Sequence, residues 1–378
     1  MDIYMLVIMV QDTSLLVIIL LKRVIGMNMK DKILKALENV NDPEIHKSLV
    51  ELDMVGEIDI DGESVLINIL LTTFKCPMKT TISDDIKSAV LKIEGVKNVE
   101  IIFDEMSKSQ RESLIAKIHG KDIRQNPLQG IRMIAIGSGK GGVGKSSVTV
   151  GIAIALRKMG YKVGIIDADI LGFSIPRIMG IKYKKPVIIE GKLLMPIEKD
   201  GIRIMSMGNL VEKDDAFIWR SPMLAKALSQ FIYDVYWGEL DYMLIDMPPG
   251  TGDMPLNIIQ SNPNANILIV TTPQEFASGV SKRLGLMAKK ADCNIIGVVE
   301  NMSYFICDNC DKKHFLYGEG KTENLCKELD TVILGSLPFV KIEEELNYVE
   351  DKKDPSDKTS ETAFAFKDIA QNIVKRCT

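Results

Sequence analysis

The sequence predicts an α/β protein: a mainly parallel sheet flanked by helices, preceded by a small α+β domain. Three observations carry this. From residue 131 onward, short apolar runs alternate with helical patterns, as they do when strands buried on both faces are joined by crossover helices. The first of these runs leads through a glycine-rich loop, "GSGKGGVGKSS" (137–147), into an apolar helix. A polar, charged stretch then separates this pattern from a smaller one that precedes it. With 378 residues, 46% of them hydrophobic and 26% charged, the chain has material for two or three packed domains.

Residues 1–28 come first. "IYMLVIMVQDTSLLVIILLKR" (3–23) is very apolar, but Gln11-Asp12-Thr13-Ser14 interrupts it, and the basic pair Lys22-Arg23 follows the apolar run instead of preceding it. That is neither a clean membrane span nor a signal peptide. It reads as an extension outside the fold, with translation starting at Met27 or Met29; a membrane anchor is the minority reading.

Residues 29–104 read as the small α+β domain. "KDKILKALENV" has Ile33, Leu34, Leu37 and Val40 at helical spacing, and "SVLINILLT" is a buried strand after the Asp61-Gly62 turn. "CPMKTTISDDIKSAVLKI" is a helix with Pro77 in its first turn, and "VKNVEIIF" closes the unit as a strand. Residues 105–130 form a linker with a helical middle. From 131 to 378, "IRMIAIGS", "KVGIIDAD", "YMLIDMPP", "NILIVTTP" and "CNIIGVVEN" are strands ending in turns or polar residues. Ligands of such sheets lie at the strands' C-terminal ends.

The loop after the first strand contains G-x-x-x-x-G-K-S from Gly139 to Ser146. Its backbone N–H groups, from Gly139, Lys140, Gly141, Gly142, Val143 and Gly144 onward to Ser147, wrap phosphates, and the helix start adds its positive end. Lys145 reaches the outer phosphates and the Ser146 hydroxyl ligates Mg²⁺. Lys140 is an additional cation. It reads either as a solvated loop lysine or as a group reaching a nucleotide on a facing subunit, where it adds charge during phosphoryl transfer. "GIIDADILGFSIP" places Asp167 and Asp169 just past one strand, and "YMLIDMPPGTGD" places Asp246 past another. Singly each is a turn or capping residue; beside a phosphate loop they hold Mg²⁺ and orient water.

"KGGVGKSS", "DADILGFSIP", "IDMPPGTGD", "TTPQEFAS" and "VENMSYFICDNC" occur in the order found in the Mrp/ApbC family of P-loop ATPases, and residues 131–350 resemble it. That family belongs with MinD, ParA and the nitrogenase iron protein in the deviant-Walker group. The resemblance implies a homodimeric ATPase that carries an iron–sulfur cluster to apo-proteins and exchanges with assembly scaffolds. By motif it makes Lys140 the trans-acting lysine, Lys145 and Ser146 the phosphate and Mg²⁺ groups, and Asp169 the residue that positions water. Asp167 and Asp246 complete the Mg²⁺ shell, and Asn301 resembles the family's adenine-contacting asparagine. Two departures stand out: Phe173 sits where the first switch usually reads Gly-Pro-Ser, and "EFASGVSKR" replaces an Ala-Leu-Ala-Asp run.

Cys307 and Cys310 form a CxxC with Asp308-Asn309 as its turn. A metal centre of thiolates usually needs four protein ligands. Two thiolates from each of two subunits would hold one bridging [4Fe–4S] cluster on a two-fold axis. The alternatives are zinc held by Cys307, Cys310, His314 and Cys326 of one chain, and a redox dithiol. Cys326 lies on an apolar helix face and reads better as core, and His314 as a surface hairpin residue.

Residues 29–104 resemble the PaaD-like domain associated with iron–sulfur assembly, through "NDPEI", "LVELDMVGEIDIDGESVLINILLTT" and "KCPMKTTISDDI". Cys76 precedes Pro77 at a helix start, so it reads equally as a reactive thiol and as a buried capping residue. Asp42 and Glu44 flank Pro43 as turn residues. The C-terminal "AFAFKDIAQNIVKRC" is a core-packing helix, since two basic residues make a poor membrane tail.

The expected protein is therefore a cytoplasmic, homodimeric carrier using ATP, Mg²⁺ and a [4Fe–4S] cluster. The rival readings are a partition or positioning ATPase and a zinc-stabilised nucleotide switch. A net charge of −4 and the lack of a basic patch argue against nucleic acid as a partner, and no membrane partner is expected.

Overall fold

The structure, a computed structural model, describes residues 29–43, 45–72, 78–119, 130–169, 172–189, 193–210, 221–261, 265–307, 309–310, 312–339 and 359–377. The extension at 1–28, Glu44, and Cys76 with Pro77 lie outside the described residues. The chain divides into two compact units, Met1–Ile123 and Arg124–Thr378.

In the first unit, helix α1 (29–37) buries Ile33 and Leu37 one turn apart and leaves Leu34 half-buried. The carboxylate of Asp42 accepts the backbone N–H of Ile45 at 2.9 Å, closing the turn around Pro43. Strands β1 (Val55–Asp61) and β2 (Ser64–Leu71) form an antiparallel hairpin turning at Gly62, whose φ is 60°. Helix α2 (Lys79–Val90) then crosses to β3 (Asn98–Glu105), parallel to β2. β2 is narrower than the buried strand expected: Val65, Ile67, Ile69 and Leu71 are buried while the residues between them are half-exposed. The strand therefore has one dry face, not two. β1 was not expected from its residues, because acidic side chains dilute the apolar alternation of "VGEIDID". Helix α3 (Lys108–His119) follows, within the charged stretch.

The second unit is built on a nine-stranded sheet. Its strands are β4 (Arg132–Ser138), β5 (Val163–Asp167), β8 (Ile197–Lys199), β9 (Ile202–Ser206), β10 (Tyr242–Asp246), β11 (Asn266–Thr271), β12 (Ile295–Ile306), β13 (Lys313–His314) and β14 (Ile333–Pro338). They run in the order β13-β12-β11-β4-β10-β5-β9-β8, with β14 also paired to β12. All neighbours are parallel except the edge pairs β8/β9 and β12/β13. A separate ribbon pairs β6 (Val187–Ile189) with β7 (Leu193–Met195).

Alternation along the central strand divides the core. Ile134 and Ile136 point into a cluster with α4 (Lys145–Lys158) and α10 (Thr359–Arg376), through Val148, Ile152, Ile369 and Ile373. Met133 and Ala135 point the other way, against α6 (Ser221–Tyr233), α7 (Asp253–Ser261), α8 (Glu275–Lys290) and α9 (Lys321–Glu328). Each fully buried Ile of β4 contributes about 1.5–3 kcal/mol of burial. Layers on both faces fix the strand ends, which place the site.

β12 departs most from expectation. The sequence suggests a strand ending near Asn301, yet β12 runs 12 residues, to Ile306. Met302 sits within it at a φ of 56°, a left-handed conformation unusual for a non-glycine residue. Its far end pairs with β13, Phe305 opposite His314 and Ile306 opposite Lys313.

Candidate nucleotide and metal site

β4 lies between β10 and β11, so its C-terminal loop emerges at the middle of the sheet edge. Two glycines permit the loop's path. A Cβ on Gly139 would stand 2.3 Å from the backbone nitrogen of Ser281 on α8. Gly144, at a φ of 80°, would place one 2.3 Å from the side-chain amide of Asn301. The loop is wedged between α8 and β12. The close approach at Gly139 falls within "EFASGVSKR", one of the two places where the sequence departs from the family pattern.

Lys145 opens α4 and is almost fully buried. Its Nζ lies 2.7 Å from Asp246 Oδ1 and 3.8 Å from Asp169 Oδ2. Ser146 Oγ donates to Asp246 Oδ2 at 2.6 Å, and Thr149 Oγ1 donates to Asp246 Oδ1 at 3.0 Å. Asp167 and Asp246 are register partners on adjacent strands, and Asp167 Oδ2 accepts from Ser206 Oγ at 2.9 Å. Burial, and next the neighbouring Asp246, push the Asp167 carboxyl up to about 8, against the opposing pull of the Ser206 hydrogen bond and Lys145. Ser146, Asp167 and Asp246 offer only oxygen donors, the set a hard dication such as Mg²⁺ takes.

Of these groups Lys145, Ser146 and Asp169 border a cleft of about 450 Å³, lined by the loop from Gly141 to Ser147 and by Asp169, Ser174, Arg177 and Pro249; Asp167 and Asp246 are fully buried outside that lining. Thr149 and Arg177 were not anticipated. Thr149 is one turn after Lys145 on the same helix face, a signal present in the sequence. Arg177 belongs to α5 (Ile175–Ile178), which only the fold brings to the cleft.

Lys140 is exposed, its Nζ 3.4 Å from Gln274 Oε1, and does not border this cleft. Asn301 does not border it either: it is 4% exposed and donates Nδ2 to the Val143 carbonyl at 2.9 Å. That bond braces the loop at Val143. Phe173 is half-buried, packs against the core, and stands over Gly208, where a Cβ would lie 2.7 Å from its own.

The thiols lie beyond the far end of β12. Cys307 N–H donates to the Lys312 carbonyl at 3.0 Å, closing the β12–β13 hairpin around the CxxC. Cys307 is half-buried; Cys310 and His314 are exposed. Cys326 is elsewhere, 5% exposed on α9 in the core with Leu325 and Leu329, where burial pushes its thiol up to about 11. A four-ligand zinc site including Cys326 is therefore not assembled.

Comparison with known proteins agrees with this geometry. Residues 131–374 match the family described as NUBPL iron-transfer P-loop NTPase, and residues 30–101 match the iron–sulfur cluster assembly protein family. The chain is 36% identical over 352 residues to an iron–sulfur cluster carrier protein of Bacillus subtilis, covering 91% of this chain and 97% of that one. It is 43% identical over 314 residues to a protein of the same name in Synechocystis, covering 82% and 86%. A nucleotide-binding protein of Archaeoglobus fulgidus, solved in complex with ADP, superposes with a TM-score of 0.53 at 37% identity over 65% of this chain and 96% of that one. The phosphate loop, its carboxylates and these relatives together make the chain a P-loop ATPase, and it belongs to the family of iron–sulfur cluster carrier proteins.

Proposed function

We propose that this protein binds a [4Fe–4S] cluster between two copies of itself and passes it to apo-proteins, with ATP binding and hydrolysis setting how tightly the cluster is held. The observation that carries this is the course of β12. One strand braces the phosphate loop at Asn301 and ends beside Cys307, so a single strand joins the phosphate loop to the thiols. The CxxC supplies half of a four-thiolate shell, and a second copy supplies the rest.

In this reading the protein's own groups act as follows. The loop N–H groups and Lys145 bind the β- and γ-phosphates, and Lys145 exchanges its contact with Asp246 for them. Ser146, Asp167 and Asp246 hold Mg²⁺, which neutralises phosphate charge when bound. Asp169, at the cleft wall, orients the attacking water. Lys140, exposed at the loop's outer side, reaches the facing subunit's nucleotide. The residues from 29 to 104 form a separate assembly domain, with 105–130 as its connection to the ATPase domain, and Cys76 is a candidate thiol for cluster exchange. A cytoplasmic location belongs to the same proposal, because exposed cluster thiolates require a reducing compartment.

The test is iron and acid-labile sulfide per dimer after anaerobic reconstitution, beside Cys307→Ser and Cys310→Ser. About four of each per dimer, lost in both variants, is expected. A cluster retained without either cysteine would overturn the proposal.

A further inference from the structure

Cys307, Cys310 and His314 come together on one chain: their ligand atoms, two Sγ and an imidazole nitrogen, all lie within 4.8 Å of one another. The β12–β13 register explains why. His314 pairs with Phe305, so their side chains share one face of the ribbon, and Cys307, two residues beyond Phe305, continues that face. The CxxC turn then brings Cys310 back to the same side. The opposite face of the hairpin is pinned. Lys313 forms an ion pair with Glu361 of α10 at 2.5 Å, Tyr304 hydroxyl donates to Glu361 at 3.2 Å, and Lys313 Nζ sits 4.3 Å from the Tyr304 ring centre. The three ligands thus project from a hairpin whose other side is held to the body of the domain.

We infer that each single chain binds one divalent, borderline-soft cation, Zn²⁺ or Fe²⁺, through Cys307, Cys310 and His314, with a fourth position open to solvent. Two thiolates around a tetrahedral ion with bonds of about 2.3 Å stand about 3.8 Å apart, so the observed cluster needs only a small contraction to close on a metal. Three protein ligands and an open position suit an ion that must be exchanged, whereas a permanent structural site is closed by four. The inference deepens the carrier reading, since it concerns the same cysteines and rests on their being the cluster thiols. Its consequence is exclusion: thiolates engaged by a single ion on one chain are unavailable to a cluster shared by two. Monomers loaded with Zn²⁺ or Fe²⁺ are withheld from the bridged state.

The experiment titrates the full-length, metal-free protein anaerobically with Co²⁺, reading thiolate charge-transfer and tetrahedral d–d absorption. The same protein is also reconstituted with iron and sulfide, and the variants are His314→Gln, Cys307→Ser and Cys310→Ser. One Co²⁺ per chain is expected. His314→Gln should weaken it at least about tenfold and change the d–d envelope while keeping the bridging cluster. The cysteine variants should lose both. ADP affinity, read at the other end of β12, reports that each variant is folded. An unchanged Co²⁺ affinity and spectrum in folded His314→Gln overturns the three-ligand site, as does one Co²⁺ per two chains. Neither result touches the carrier reading, which fails separately if reconstitution gives no cluster in the wild-type protein.

Discussion

Asn301 donates its side-chain amide to the carbonyl of Val143 at 2.9 Å, and that contact joins the strand leading to Cys307 to the loop that closes on phosphate. Cys307 lies six positions beyond Asn301, at most about 20 Å along the chain. A shift of the loop would act on Asn301, in a strand that β11 and β14 hold along its first half, β14 again at Tyr304, and β13 at its end.

Asn301→Ala removes the donor and leaves a buried carbonyl without that partner, at a cost of about 1–3 kcal/mol. Because the loop's own conformation is what the bond supports, part of that cost appears in nucleotide binding. ADP affinity measured calorimetrically should fall about tenfold. Cluster retention should also become less sensitive to nucleotide. Unchanged affinity together with unchanged sensitivity would show that the bond is only local packing.

Asp167 gives stability a definite pH dependence. Unfolded, its carboxyl ionises near the ordinary 3.8; folded, burial and Asp246 hold it up to about 8. Between those values the native chain keeps a proton that the unfolded chain has released, so this group's contribution to stability falls as pH rises across the window. The nucleotide-free protein should lose Tm from about pH 5 to about pH 8, and Asp167→Asn should show a flatter profile. Parallel profiles for the two proteins would mean that Asp167 is ionised in the native state throughout.

The phosphate loop, its Lys145 and Ser146, and the strand-end carboxylates were legible in the sequence because each is a local pattern. A glycine-rich turn follows an apolar strand, and acids follow apolar runs. The continuation of β12 was not, because Glu300 and Asn301 end the apolar run and Met302 takes a left-handed backbone. His314 is the exposed hairpin residue expected, but its nearness to the two cysteines was not legible. Its proximity to Cys307 depends on the β12–β13 register, and two-residue β13 carries no periodicity to reveal it. The braced setting of Asn301 depends on the close packing of Gly144, which spacing along the chain does not express.

Glu361 anchors the hairpin through Lys313 and Tyr304. The ion pair with Lys313 is partly exposed, at 48% and 38% for the two side chains, so it adds little to global stability, about 0–1 kcal/mol. Its effect is positional. Glu361→Gln should leave Tm within about 2 °C and yet shorten the lifetime of the bound cluster when a chelator is added. A large fall in Tm would instead identify Glu361 as a stability residue, and an unchanged lifetime would remove its anchoring role.

Substitution of Lys140 is expected to separate binding from chemistry. It is exposed, does not border its own cleft, and makes a 3.4 Å contact with Gln274, so its removal costs the subunit's own nucleotide little. In Lys140→Ala the affinity for ATP should change less than about threefold, while hydrolysis, which needs positive charge at the transferring phosphoryl group, should fall at least about a hundredfold. The decisive form of the experiment mixes this variant with one that cannot hydrolyse, Asp169→Asn. If Lys140 acts across the dimer, each mixed dimer has one cleft with an intact Asp169 facing an intact Lys140, and the mixture recovers activity that neither variant has alone. If Lys140 acts within its own subunit, every cleft in the mixed dimer lacks one group or the other, and the mixture stays inactive. Recovery toward a quarter of the wild-type rate is the expected result for random pairing, since about half of the dimers are mixed and each has one working cleft of two.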